Sequence, residues 1–238
     1  SITKNVLGLF INSAVLLVIM MSCVRWYKKH PLEDGAPKGG VGMIEATVLS
    51  IYNDVIKGCI GENYRRYAPY LLTAFFFVLV NNLMGLIPIF PGGANVTGNI
   101  AITLVLALCT FVLTNVYGTK AYWKEIFWPD VPTWLKAPIP MMPLIEFFGI
   151  FTKPFALMIR LFANIMAGHA AVLSLVAIIF ITVKSGPVIN GSMTVVSVAF
   201  SIFMNALEIL VAFIQAYVFT MLSAVFIGLS QVKEHAEK

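Results

Sequence analysis

The sequence predicts an all-α integral membrane protein of about five membrane helices plus one amphipathic surface helix. The last two helices are long and tilted and form an antiparallel hairpin. Three observations predict this class. Of 238 residues, 59% are hydrophobic and 11% are charged, against roughly 25% charged in a soluble domain. Mean hydropathy is +0.89. The apolar residues fall in runs long enough to cross a bilayer, each needing about 20 residues.

The first span is expected over Val6 to Val24, closed by RWYKKH with its interfacial Trp26 and Tyr27. It lacks a charged n-region and is followed by basic residues, so it reads as an anchor rather than a cleavable signal. The chain begins with Ser rather than Met, which leaves open whether a leader was removed. HPLEDGAPKGGVG is a polar turn region. From Met43 to Ile60, apolar Ile44, Val48, Ile51, Val55 and Ile56 recur at helical spacing among Glu45, Asn53, Asp54 and Lys57. That pattern predicts an amphipathic helix on the inner membrane surface. The second span covers Tyr67 to Ile87 and stops at Pro88, followed by a short outer loop. The third covers Ile100 to Tyr117 and leads into a long inner loop with three Trp.

The fourth run, Leu144 to Val183, is about 40 residues, roughly 60 Å as helix. That is twice the hydrocarbon thickness, so it must be strongly tilted, bent, or broken near Pro154. The last run, Val195 to Leu229, is also too long to stand upright. KSGPVINGSM joins the two. The whole chain, 1–238, reads as one membrane domain: a first spanning helix within 1–25, a surface helix over 43–60, a helical pair over 67–118, and the long hairpin over 141–230.

The net charge of +5 is a matter of topology, not of nucleic-acid binding. Arg25, Lys28, Lys29, Lys38, Lys57, Arg65 and Arg66 lie between the first and second runs. Lys120, Lys124 and Lys136 lie between the third and fourth, and Lys233 and Lys238 end the chain. Only Lys4 and Lys184 fall at opposite ends. Positive-inside asymmetry then puts the N-terminus outside and the C-terminus on the cytoplasmic or matrix side. Cys23, Cys59 and Cys109 match no metal spacing and read as small packing residues.

Arg160 is the most informative residue. Its charge cannot be neutralised, and a centred Arg costs about 2.5–3.5 kcal/mol on an insertion scale. It therefore needs a wet path or an opposite charge. The fourth run also carries Glu146, Lys153, Asn164 and His169, and the last carries Asn205, Glu208 and Gln215. In an antiparallel pair, nearly one register sets Arg160 opposite Gln215 and His169 opposite Glu208. Gln215 and Glu208, seven apart, share a face, roughly 20° from eclipsed. His169 lies about 13 Å beyond Arg160, and Glu146 about 20 Å before it, toward the inner side.

Glu and His bind and release protons, with reference pKa values near 4.3 and 6.5. A close pair could relay protons; Arg cannot, and between two aqueous paths it blocks direct passage. The bland readings are packing ones. Asn164, Asn205 and Gln215 are amides of the kind that glue helices together. Lys153 can snorkel to the inner interface.

These residues carry a resemblance. Lys153-Pro-Phe-Ala-Leu-Met-Ile-Arg160-Leu-Phe-Ala-Asn164-Ile-Met-Ala-Gly168-His169 closely resembles the signature of subunit a of F-type ATP synthases. Asn82-Leu-Met-Gly-Leu-Ile-Pro88 resembles that family's NLxGLxP motif, and Glu208 with Gln215 its final-helix polar pair. The likeness runs from about Met43 to Leu229.

The resemblance implies a stator subunit beside a rotating ring of c-subunits, with b-type peripheral-stalk subunits and the rest of the complex as partners. Lipids and protons complete the list. Arg160 would face the ring carboxylates. His169, Glu208 and Asn205 would form the outer half-channel and Glu146 the inner one, with Asn164 and Gln215 supporting Arg160. Many bacterial members place the acid and the His on the opposite helices from those seen here. No nucleotide loop, metal cluster or nucleophile–base set is evident, so no cofactor is expected and catalysis falls to partner subunits. The competing reading is a free-standing secondary transporter with an anion site at Arg160; such folds often show inverted repeats, and none is evident. A bacterial plasma membrane is the expected setting, with the mitochondrial inner membrane second.

Overall fold

The computed structural model describes residues 4–30, 37, 39–86, 96–127, 141–183 and 186–231. The outer loop with Pro88, the inner stretch 128–140, and Lys38, Lys136, Lys184, Lys233 and Lys238 lie outside the described residues. Among the described residues there is no strand. The helices are α1 (Lys4–Lys29), α2 (Gly40–Ser50), α3 (Tyr64–Leu86), α4 (Ile100–Val116), α5 (Lys120–Phe127), α6 (Met141–Thr182) and α7 (Pro187–Ser230).

Four stretches are long and apolar enough to cross a membrane: Asn5–Lys29, Gly40–Leu86, Pro143–Thr182 and Pro187–Ser230. The third expected span is α4, whose 17 residues make about 25 Å, short of the roughly 30 Å hydrocarbon. It joins α5 across a 97° bend. α5 corrects the sequence reading, which had a loop there; its Lys120, Trp123 and Lys124 are residue types of a membrane interface. Exposed Phe10, Leu17, Val18, Phe180 and Ile181 would be an aggregating surface in water and are ordinary in lipid.

The second half of the apolar stripe of 43–60 is covered by protein. Ile51, Val55, Ile56 and Ile60 are buried with Tyr67, Leu71 and Phe75 of α3 and Phe219, Ala224 and Ile227 of α7. Asn53, Asp54 and Lys57 are exposed. After α2 the chain winds as a π-helix over Ile51–Lys57 and then one α-helical turn, Gly58–Ile60. The apolar positions 51, 55/56 and 60 recur every four to five residues, wider than the 3.6 of an α-helix. The wider π turn keeps all of them on the core side. Gly61 then takes a φ of 75°, which favours glycine, and the chain redirects into α3.

Backbone meets backbone where this segment crosses α7. A Cβ at Gly228 would collide with the Cys59 carbonyl. Neither helix can yield there as a flexible side chain could. Gly228→Ala is expected to destabilise the protein by about 1–3 kcal/mol, as overpacking does; a lowered thermal midpoint in detergent is the measurement.

Arg66 and Lys120 lie at one end of the bundle. Thr119 N–H donates to the Ser230 carbonyl at 2.9 Å, and Gln231 Nε2 to the Tyr117 carbonyl at 2.6 Å. Arg66 lies over the Tyr117 ring at 4.5 Å. The start of α3, the end of α4 and the end of α7 therefore share one level, as charge asymmetry requires.

α6 and α7, of 42 and 44 residues, form the expected antiparallel hairpin. Asn164 meets Gln215, Gly168 meets Glu208, and Thr182 donates to Asn190 Oδ1 at 3.1 Å. Of the alternatives for the fourth run, a break is excluded: α6 runs unbroken through Pro154, since one lost backbone hydrogen bond is tolerated in a membrane helix. One detail differs from the sequence reading. The connecting segment is helical from Pro187, not from Val195: Gly186 caps with φ 104° and proline occupies the first turn, the position that its missing N–H suits.

Candidate functional site

Between α6 and α7 lies a half-open cavity of about 280 Å³, lined also by Asn82 and Leu86 from the end of α3. Its polar lining comes from Asn82, Asn164, His169, Glu208 and Gln215. The hairpin register therefore gathers four of the seven residues singled out from the sequence, and the NLxGLxP asparagine joins them.

Glu208 is half-buried, and its Oε1 is buried without a hydrogen-bond partner. His169 is half-buried beside the same space. Among the described residues no hydrogen bond or ion pair joins the two. Gln215 is 5% exposed. Its Oε1 accepts from Asn164 Nδ2 at 3.4 Å, a long bond, and its Nε2 has no partner. Both residues line the cavity, with Glu208 Oε1 and Gln215 Nε2 themselves turned into the protein rather than into the open space. The cavity is polar and roomy enough to hold water.

The hydrogen bonds show which neighbour Gln215 takes. Gln215 bonds Asn164, one turn beyond Arg160, and makes no hydrogen bond to Arg160. Arg160 stands on the exposed side of α6, whereas Leu157, Met158 and Leu161 of the same turns are buried. It makes no hydrogen bond or ion pair among the described residues.

Around Arg160 runs a stripe that the sequence reading missed. Ala156, Arg160, Ala163, Ala167, Ala170, Ser174 and Ala177 are all exposed and recur in alternating steps of four and three. That is a 3.5-residue period, the seam of a helix that meets another helix. The signal was present in the sequence, hidden by the uniform apolarity of the run.

The other expected residues lie apart. Asn205 is exposed on α7 and does not line the cavity. Glu146 is half-buried near the start of α6, close to Tyr122 of α5. Burial pushes the Tyr122 phenol up, and the Glu146 carboxylate adds to it. Lys153 Nζ sits over the Phe226 ring at 5.8 Å.

Asn82 and Asn81 also took the structure to interpret. Asn82 Nδ2 donates to the Ala212 carbonyl at 3.4 Å, and its Oδ1 accepts from the Thr97 hydroxyl at 2.7 Å. It braces α7 between Glu208 and Gln215. Asn81 Oδ1 accepts from Asn12 Nδ2 at 2.9 Å, which fastens α1 to α3.

The fold and site define a polytopic all-α integral membrane protein with titratable and charged groups at membrane depth. Comparison with known proteins supplies the family: the chain belongs to the ATP synthase A chain family, matched over residues 7–228. It is 49% identical to an ATP synthase subunit a of Chlorobium phaeobacteroides, covering 100% of this chain and 67% of that protein. It is 44% identical to that of Chloroherpeton thalassium, over 98% of this chain and 68% of the relative. For Myxococcus xanthus the identity is 39%, over 99% and 74%. The chain thus spans about two thirds of the length of the first two.

Proposed function

We propose that this chain is the proton-translocating stator subunit of a rotary F-type ATP synthase. It offers two offset half-channels to a ring of c-subunits, with Arg160 between them. The observation that carries this is Arg160 itself: a permanent charge on an exposed helix face at membrane depth, with no partner among the described residues. An uncompensated Arg there costs about 2.5–3.5 kcal/mol. The compensating charge must then come from another chain, and a ring carboxylate is the group that fits. The small-residue stripe supports the same reading, because small side chains let two membrane helices approach closely.

The chemistry follows from the groups present. A proton enters from the outer side by way of Asn205 and then, through the cavity, His169 and Glu208. It neutralises a ring carboxylate beside Asn164, Gln215 and Arg160. The neutral site then enters lipid, where an ionised carboxylate would not. After nearly a full turn it meets the inner path and releases its proton near Glu146. Arg160 favours the ionised ring site and cannot itself carry protons. Each charge crossing 100 mV yields about 2.3 kcal/mol, so several must pass for each ATP made elsewhere in the complex. The basic end of the bundle faces the cytoplasm of a bacterium and the N-terminus faces outward. Bacterial relatives support that setting, and b-type stalk subunits hold the stator.

The ring contact is testable by cross-linking in native membranes. In a background with Cys23, Cys59 and Cys109 replaced by Ala, Ala163→Cys and Ala167→Cys are expected to form disulfides with cysteines on the outer helix of the c-subunit. Val18→Cys, exposed on α1, is not. Absence of cross-links from both α6 positions in assembled complexes would remove the ring from this face.

A further inference from the structure

The α-carbon of Gly168 faces Glu208 across the α6–α7 interface. A Cβ there would stand 2.6 Å from Glu208 Oε1, 3.2 Å from Cδ and 3.4 Å from Cγ. The whole carboxyl end of Glu208 therefore rests on bare helix backbone. The same Oε1 is buried and accepts no hydrogen bond. Glycine is not there for backbone freedom: the positive-φ glycines are Gly39, Gly61 and Gly186. Inside a regular helix it costs about 1 kcal/mol relative to Ala. Gly149, also within α6, meets nothing that a Cβ would disturb. At Gly168 the missing side chain is occupied space, and its occupant is a carboxyl group on the cavity wall.

We propose that Gly168 is a positioning residue for proton transfer: the space left by its absent side chain is the seat that holds the Glu208 carboxyl at the cavity. This rests on the proposed function, in which Glu208 carries the proton. In Gly168→Ala the carboxyl must swing away, and the helix backbone beneath it cannot give. An aspartate at position 208 ends one methylene short of the new methyl group, so it tolerates Gly168→Ala where glutamate does not.

The test measures ATP-driven proton pumping, normalised to assembled complex, in inverted membrane vesicles. Gly168→Ala is expected to slow pumping about 10- to 100-fold, the scale of a reacting group displaced by roughly 1 Å. Gly168→Ala with Glu208→Asp is expected to pump as fast as Glu208→Asp alone, and faster than Gly168→Ala alone. Gly168→Ala with Glu208→Ala is expected to assemble normally and pump no faster than Gly168→Ala.

Wild-type pumping by Gly168→Ala overturns the proposal. So does a double Gly168→Ala, Glu208→Asp variant no better than the single, or fast pumping when Glu208→Ala is the second change, the mark of a purely packing role. Should Gly168→Ala not assemble, the amount of this chain in the membrane becomes the readout. Both changes at position 208 must then restore it, and failure of either overturns the proposal equally. Glu208→Gln keeps the two levels apart: wild-type pumping there removes the underlying function of Glu208. Lost pumping there, with Gly168→Ala unaffected, removes the positioning role alone.

Discussion

Vesicles carrying the whole complex with Arg160→Ala are expected to lose proton-driven ATP synthesis while the complex still assembles. They are also expected to leak protons passively. Assembly should survive because Arg160 is exposed and ties no helix to another; the buried neighbours Leu157, Met158 and Leu161 hold α6 in place. Synthesis should fall below detection because nothing else on the exposed face carries a fixed charge to draw a ring carboxylate into its ionised form. The leak follows from the same loss. Without the arginine, a ring site can stay protonated while it passes between the two half-channels. The membrane potential, worth about 2.3 kcal/mol per charge at 100 mV, then drives protons across without rotation. Arg160→Lys should not restore synthesis fully, since lysine lacks the planar fork and can give up its proton when buried. Normal synthesis with normal coupling in Arg160→Ala would make the arginine structural and end the proposed mechanism.

Glu208→Gln is expected to produce the second-largest effect. Glutamine keeps the volume on the cavity wall and loses only the capacity to take and release a proton. Proton pumping should drop about 10²-fold or more, the scale on which a positioned acid–base group contributes. His169→Ala should cost less, since the waters that the cavity can hold would bridge its place and leave Glu208 at its seat. ATP hydrolysis with the membrane sector detached is the control, and it should be unchanged in both variants. A smaller loss in Glu208→Gln than in His169→Ala would exchange their roles.

Much of this was legible along the chain because membrane depth is nearly a one-dimensional property. A run of apolar residues has few solutions in lipid, so the positions of α1, α3, α4, α6 and α7 follow from hydropathy. Ionisable residues inside such runs are costly, so Arg160, His169 and Glu208 stand out without any structure. The antiparallel register of α6 and α7 was readable to within about one residue, because two polar sets in paired helices have to face each other: Gly168, next to His169, meets Glu208. Which side chain Gln215 reaches was not readable; it bonds Asn164, one turn from Arg160.

Local errors had local causes. Ile51, Val55 and Ile56 formed a clear stripe, but hydropathy does not say whether lipid or protein covers it. α5 was concealed by a run rich in Trp and Lys, whose composition suits a loop and an interfacial helix equally. The last helix starts at Pro187, inside the segment read as the connection, because proline suits a first helical turn and hydropathy alone does not mark where a polar helix end begins.

By itself the sequence determined the membrane class, the spans, the family signature and the polar residues inside the apolar runs, since each depends on what a residue costs in its own stretch of chain. The tertiary structure decided the rest: Asn82 braced against Ala212, Asn81 fastened to Asn12, the π turn that seats Ile56, Arg160 facing outward, and Glu208 lying on Gly168. These depend on how each helix is rotated about its axis and how closely distant backbones approach. Those two quantities are set only when all the helices pack at once.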